Sequence, residues 1–122
     1  MSIIVYGIKN CNTVKSALEW LKRNNVDYEF HHFKARGITA EKLREWFAQS
    51  SWESFLNKRG TTWRQLPPTV QEKVNSQSTA IALMQDKTSV IKRPVIESAG
   101  KVVALGFQIA EYDEVFKRKR TT

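Results

Sequence analysis

In the segment VYGIKNCNTVKSALEWL, residues 5–21, an apolar run is followed by a helical pattern, with the only cysteine, Cys11, between them. Residues 3–6, IIVY, are β-branched and aromatic, which predicts a strand buried on both faces. From Thr13 onward apolar residues recur at helical spacing, so an amphipathic helix follows, with Asn12 or Thr13 as its N-cap. The segment therefore predicts a strand, a turn that carries a thiol, and a helix.

A second strand is predicted at residues 28–33, YEFHHF, which are rich in aromatic side chains. A strand-helix-strand unit of this length implies a parallel pair with a right-handed crossover. A turn at Gly37 and a cap at Thr39 then introduce a helix whose buried face we expect to contain Leu43, Trp46 and Phe47.

Residues 50–90 contain no convincing strand. Short helical pieces are predicted at WESFL, after Pro67 and Pro68, and at STAIALMQD, with NKRGTTWRQL as a polar loop. Two strands, RPVIES and VVALGF, then form an antiparallel hairpin around AGK, and a last helix begins near Ala110. The sequence predicts an α/β fold: one domain over residues 1–122, with a mixed four-stranded sheet and a helical insertion at about 39–90.

The composition excludes several classes of protein. At 122 residues with 41% hydrophobic side chains, the chain is expected to have one core and no bilayer-spanning run. The N-terminus lacks the features of a secretory signal, so we expect a cytoplasmic protein with a reduced thiol. His31 and His32 are neighbours on a predicted strand and point to opposite faces, so no metal site is expected.

The net charge of +8 is partly concentrated in a basic tail, KRKRTT, at residues 117–122. The remaining basic residues are mixed with Glu and Asp, and no motif that reads DNA or RNA accompanies them. We therefore favour a solvated basic surface over nucleic-acid association through the basic tail, which is kept as the less favoured hypothesis. No long apolar stripe is left without a place in the core, which favours a monomer.

Cys11 lies where the unpaired N–H groups and the dipole of the predicted helix favour a thiolate over a thiol. Lys9 and Lys15 flank it and add the same bias. The alternative is a buried apolar filler, as many lone cysteines are. The polar neighbours Lys9, Asn10, Asn12 and Thr13 favour exposure.

Three segments resemble the arsenate reductase-like ArsC/Spx/YffB family in the same order and across nearly the whole chain: GIKNCNTVKSALEWL, LNKRGTTWRQL and IKRPVIESAGKVVALGF. The resemblance is closest to the YffB branch, whose members look like small glutathione-dependent thiol reductases. It implies a thioredoxin-like fold with a helical insertion. It also implies that Cys11 is the catalytic cysteine and that the bond between Arg93 and Pro94 is cis and faces it.

The resemblance also shows departures from the family pattern. Arsenate reductases of this family bind the oxyanion with three arginines, of which Arg93 is retained, while Asn57 and Gly106 stand at the other two positions. Arg59 lies two residues beyond Asn57 and replaces a missing arginine only if the loop is reshaped. Since two forked, charged donors are absent, arsenate reduction is not expected.

Spx-type regulators carry a second cysteine three residues after the first, at the position of Val14, and act by binding RNA polymerase. Without a resolving thiol, a disulfide of this chain forms only with another molecule, and glutathione is the obvious small thiol. An Spx-like adaptor, associated with transcription and without catalysis, is the alternative hypothesis.

The resulting prediction is a glutathione-dependent thiol-disulfide reductase that acts on an unknown disulfide or oxidised substrate. Cys11 is the nucleophile, and Asn12, Thr13 and Lys9 stabilise its thiolate. The glutathione-binding residues are expected to be Arg93, Pro94, Val95, Arg59 and Arg64.

Overall fold

The structure, a computed structural model, describes residues 3–117. The predicted basic tail lies outside these residues except for its first position. The chain divides into two units: a sheet unit, formed by residues up to Phe33 together with those from Arg93 onward, and a helical unit, Lys34–Lys92. The predicted insertion at 39–90 lies within the bounds of the helical unit.

The sheet unit begins with β1 (Ile3–Gly7), α1 (Asn12–Arg23) and β2 (Glu29–His32), and it ends with β3 (Val95–Ser98), β4 (Lys101–Leu105) and α7 (Ile109–Tyr112). Within the described residues the four strands form one sheet in the order β2-β1-β3-β4. The β1-β2 pair is parallel, and the β1-β3 and β3-β4 pairs are antiparallel. The mixed sheet predicted from the sequence is confirmed.

The core of the sheet unit lies between one face of the sheet and the helices α1 and α7. Apolar residues of the strands, of both helices and of the π-helical segment Asp113–Lys117 after α7 form one cluster: Ile3, Val5, Ala17, Trp20, Leu21, Ile96, Ala104, Tyr112 and Phe116. The helical spacing read from the sequence accounts for Ala17 and Leu21, which face the sheet and are completely buried. This packing fixes the axis of α1 against β1 and so fixes the turn between them.

The hairpin of β3 and β4 has a two-residue turn, Ala99 and Gly100, with φ of 53° and 82°. Ser98 pairs with Lys101 across it. Positive φ at both central residues is the pattern of a type I′ turn, whose twist matches that of the strands. Glycine adopts this conformation without a steric penalty, whereas Ala99 does not.

The helical unit contains α3 (Ala40–Gln49), α4 (Thr61–Arg64), α5 (Pro68–Lys73) and α6 (Gln77–Asp86), together with 3₁₀ turns at Trp52–Phe55 and Thr88–Val90. The four-residue helix α2 (Phe33–Arg36) connects β2 to this unit. The predicted cap at Thr39 is confirmed, since its hydroxyl accepts from the Lys42 N–H at 3.0 Å. The predicted buried face of α3 is also confirmed, because Leu43, Trp46 and Phe47 are buried.

Two local predictions were wrong. The N-cap of α1 is Cys11, and the helix begins at Asn12, because the extended backbone of Cys11 already presents its C=O to the Lys15 N–H at 3.0 Å. The segment predicted as a polar loop contains α4, in which Trp63 is buried. A single helical turn has no repeat in its sequence, so periodicity does not reveal it.

Candidate functional site

The candidate site is built at the carboxyl end of β1, where the chain turns into α1. Gly7 ends β1, and a Cβ placed on it would lie 3.0 Å from Cγ2 of Val14. The missing side chain therefore lets the first turn of α1 approach the end of the strand. Cys11 is held in this turn as the N-cap, with its side chain partly exposed.

The pKa of the Cys11 thiol results from opposing effects. Partial burial is the largest single effect and raises the pKa, but it is outweighed by the Val14 N–H, by a hydrogen bond and the positive charge of Arg93, and by the Thr13 N–H. The pKa consequently lies below its ordinary value. Cys11 makes no side-chain capping hydrogen bond of regular geometry, as expected for sulfur, which is a weak acceptor when protonated. The amides therefore favour the thiolate.

The donors are those of an N-cap side chain. With Cys11 at the N-cap, Thr13 and Val14 occupy the second and third helical positions, whose N–H groups a capping atom meets. The Asn12 N–H, at the first helical position, is not among the groups that lower the pKa of Cys11, so its part in holding the thiolate stays a prediction. The Val14 N–H, which the sequence analysis did not name, is one of those groups.

The second part of the site is the segment before β3. The peptide bond between Arg93 and Pro94 is cis. Pro94 is buried, and its C=O accepts from the Gly106 N–H at 2.8 Å. Arg93 is half-buried, and its guanidinium acts directly on the Cys11 sulfur. The resemblance had placed Arg93 among the glutathione-binding residues; its direct contribution to the thiolate is an addition from the structure.

Other predicted site residues occupy different places. Lys9 is exposed and is not among the groups that shift the Cys11 pKa. Val95 is 0% exposed and pairs with both Tyr6 and Leu105, so its backbone belongs to the sheet. The prediction that Val95 binds glutathione is therefore corrected: a residue enclosed by two strands offers a ligand neither backbone groups nor surface.

The remaining predicted residues, Arg59 and Arg64, belong to the helical unit. Both are exposed, Arg64 at the end of α4 and Arg59 in the turn before it. The Arg59 N–H donates to Oδ1 of Asn57 at 3.2 Å. Their part in ligand binding stays a prediction.

The sequence analysis also missed a buried polar pair within the sheet unit. The Tyr6 hydroxyl donates to Oε1 of Glu97 at 3.0 Å, and both side chains are buried. The Tyr6 ring lies 4.8 Å from the His31 ring, centroid to centroid. A signal for it existed, since the charged residue Glu97 directly follows the apolar pair Val95 and Ile96 in a predicted strand of the hairpin.

Neither a metal site nor a membrane-spanning helix is found among residues 3–117. No cluster of three or more His, Cys, Asp or Glu side chains there could hold a metal ion. No helix in the same part of the chain is long and apolar enough to cross a membrane.

Comparison with known proteins places this site in a family. The ArsC family profile matches residues 6–115. An uncharacterised protein of Haemophilus influenzae is 39% identical over 93% of this chain and 98% of its own length. The global transcriptional regulator Spx of Lactiplantibacillus plantarum is 20% identical over 98% of this chain and 90% of its own.

Solved structures agree with this placement. A protein named YFFB is 41% identical, with a TM-score of 0.85 over 92% of this chain and 96% of its own. A solution structure of an arsenate reductase related protein from Brucella melitensis is 44% identical, with a TM-score of 0.76 over 96% of each chain. The predicted thioredoxin-like fold is thereby confirmed, and the chain belongs to the ArsC family.

Proposed function

We propose that this chain is a glutathione-dependent thiol-disulfide reductase in which Cys11 is the nucleophile. The observation that carries the proposal is a partly exposed thiol at the start of α1, whose pKa is lowered against the effect of burial by the Val14 and Thr13 amides and by Arg93. Only the thiolate form attacks disulfides, so a lowered pKa increases the reactive fraction at neutral pH. Membership of an arsenate reductase-like family supports thiol-based redox chemistry at this position.

The reaction consists of two thiol-disulfide exchanges. The Cys11 thiolate attacks the glutathionyl sulfur of a mixed disulfide; the Cys11–glutathione bond forms, the substrate S–S bond breaks, and the substrate leaves as a thiolate that takes up a proton. A glutathione thiolate then attacks the glutathionyl sulfur on Cys11, which releases oxidised glutathione and regenerates the Cys11 thiolate. The sulfur of the incoming glutathione is oxidised as the substrate sulfur is reduced, and the two glutathionyl sulfurs end in one disulfide.

The absence of another cysteine makes the second thiol external. A resolving thiol in the same chain would form an internal disulfide, as in many redox switches, and this chain cannot do so. Glutathione is abundant in the cytoplasm, where we propose that the protein acts. We propose that Arg93 and Lys9 meet the glutathione carboxylates, and that the Arg93 backbone pairs with the tripeptide.

Arsenate reduction is not part of the proposal. Asn57 and Gly106 stand where arginines are expected from the resemblance, and neither carries a charge. The Asn57 side chain instead accepts from the Arg59 N–H and so serves the local turn. Since an arsenate dianion needs several charge-assisted donors, Arg93 alone is insufficient.

The experiment is incubation of the reduced protein with oxidised glutathione, followed by intact-mass measurement and by assay of turnover with a small disulfide and excess glutathione. We expect the mass to rise by one glutathionyl group and the adduct to disappear when glutathione is added. Cys11→Ser should give neither adduct nor turnover, and Ser98→Ala, which changes a buried residue of β3 and no thiol, is the matched control. If the wild type gave no adduct, or if Cys11→Ser kept its turnover, the proposal would be wrong and the adaptor hypothesis would gain.

A further inference from the structure

Tyr112 is completely buried at the end of α7 and uses its hydroxyl as a hydrogen-bond donor. The hydroxyl donates to the C=O of Gly106 at 2.7 Å. The ring meets Trp20 and Phe107 edge to face, with centroids 5.3 and 4.9 Å apart. Burial, with a smaller contribution from the charge of Glu111, raises the pKa of Tyr112 far above its ordinary value, so the hydroxyl keeps its proton.

Gly106 carries this contact toward the candidate site. It lies one residue beyond β4 and has φ of 76°, a conformation that glycine adopts freely. Its C=O is held by Tyr112, and its N–H donates to the C=O of Pro94 at 2.8 Å. This bond extends the β3-β4 pairing, which otherwise ends at Val95 and Leu105, by one residue toward Arg93.

The chain of contacts ends on the nucleophile. Pro94 follows Arg93 in the chain, and the Arg93 guanidinium lowers the pKa of the Cys11 thiol by a hydrogen bond and by its positive charge. We propose that Tyr112 is a positioning residue for Cys11: its hydrogen bond fixes Gly106, which holds Pro94 and thereby sets where the Arg93 guanidinium meets the sulfur. As a role in reactivity, this rests on the proposed function, because it requires Cys11 to be the reacting group.

The reason for assigning more than a packing role is the position of the hydrogen bond. A buried Tyr hydroxyl needs a partner, but several carbonyls at the end of a strand would satisfy it equally well. The partner here is the residue that also anchors the peptide beside Arg93. Loss of the hydroxyl leaves the buried Gly106 carbonyl without this donor, and the peptide can then rotate to seek another one.

The test is the pH dependence of Cys11 alkylation by iodoacetamide in wild type and Tyr112→Phe. The variant removes one oxygen and keeps the ring, and thermal unfolding verifies that it folds. We expect the midpoint of the alkylation curve to rise and the rate below the midpoint to fall about threefold, because less thiolate is present. Loss of stability with an unchanged curve would show a purely structural role and would overturn the proposal.

Two further variants make the result specific. Tyr6→Phe also removes a buried hydroxyl hydrogen bond from the sheet unit, to Glu97, and should lower stability without moving the curve. In an Arg93→Gln background, Tyr112→Phe should cause no further shift, because the two residues act in series. An equal shift in both backgrounds would contradict action through Arg93. None of these measurements uses glutathione, so a missing glutathione adduct in the wild type would refute the proposed function while leaving this result readable.

Discussion

The sheet unit and the helical unit bury different kinds of side chain. Among the described residues, the buried polar side chains, Glu97 and Ser98, both lie in the sheet unit, as do the hydrogen-bonded hydroxyls of Tyr6 and Tyr112. The buried side chains of the helical unit are all hydrophobic; its cap at Thr39 is exposed, and the capping box of Ser76 and Thr79 is partly buried. Buried hydrogen bonds therefore contribute to the interior of the sheet unit, which contains Cys11, whereas apolar packing accounts for the fully buried side chains of the helical unit.

The largest loss of stability is expected at Trp46 of the helical unit, which is completely buried and stacked on Phe55 with centroids 5.6 Å apart. Trp46→Ala should lower the free energy of unfolding by about 3–5 kcal/mol, because a large cavity replaces the ring. Urea titration followed by circular dichroism measures this. Trp52→Ala is the matched control and should cost clearly less, since Trp52 is only partly buried. Similar costs at both positions would contradict packing as the source of stability in the helical unit.

Tyr6→Phe measures how much a buried hydrogen bond contributes to the stability of the sheet unit. It removes a donor from the buried Glu97 carboxylate and keeps the ring, so we expect a loss of about 1–3 kcal/mol in the free energy of unfolding. Tyr28→Phe, on a half-buried ring in the same unit, should change stability little. If the Tyr6 variant were as stable as the wild type, the buried hydrogen bond would make no net contribution to the free energy of unfolding.

A gain in stability is expected at the hairpin turn. Ala99 has φ of 53° in the first central position of the type I′ turn, where asparagine and glycine are preferred. Ala99→Asn should therefore raise the free energy of unfolding by about 1 kcal/mol. Gly100→Ala, at φ of 82°, is the opposite control and should lower it. A destabilising Ala99→Asn would show that the turn differs from the one described.

The smallest expected effect is a pH dependence of stability. Because the Cys11 pKa is lower in the folded chain than in the unfolded one, unfolding takes up a proton between these two values. The stability of the wild type relative to Cys11→Ser should rise with pH through that window, reach its full value above the unfolded pKa, and vanish below the folded pKa. Urea titrations of both proteins across the window measure the difference. If the relative stability fell with rising pH, burial of the sulfur would outweigh the amides and Arg93, and the Cys11 pKa would be raised by folding.

The sequence predicted those parts of the molecule that depend on neighbours along the chain. The strand before Gly7, the apolar face of α1 and the cap at Thr39 all follow from local spacing. The helix α4 and the cap at Cys11 were missed, because one turn has no period and cysteine is not a usual capping residue. Two other features were missed: the effect of Arg93 on the Cys11 sulfur and the hydrogen bond between Tyr6 and Glu97. Both bring together residues that are far apart in the sequence, so predicting them requires knowing which strands are neighbours in the sheet. For that reason the sequence singled out Cys11 but did not identify all of the groups that act on its sulfur.

The central claim is that Cys11 carries an accessible sulfur anion stabilised by the Val14 and Thr13 amides and by Arg93. The most direct test is the rate of iodoacetamide alkylation against pH for the folded wild type, for folded Arg93→Gln and for the urea-unfolded chain. The account predicts the lowest midpoint for the wild type, an intermediate one for Arg93→Gln, because the two amides remain, and the highest for the unfolded chain. A folded wild type that resists alkylation, or whose midpoint equals that of the unfolded chain, would contradict it.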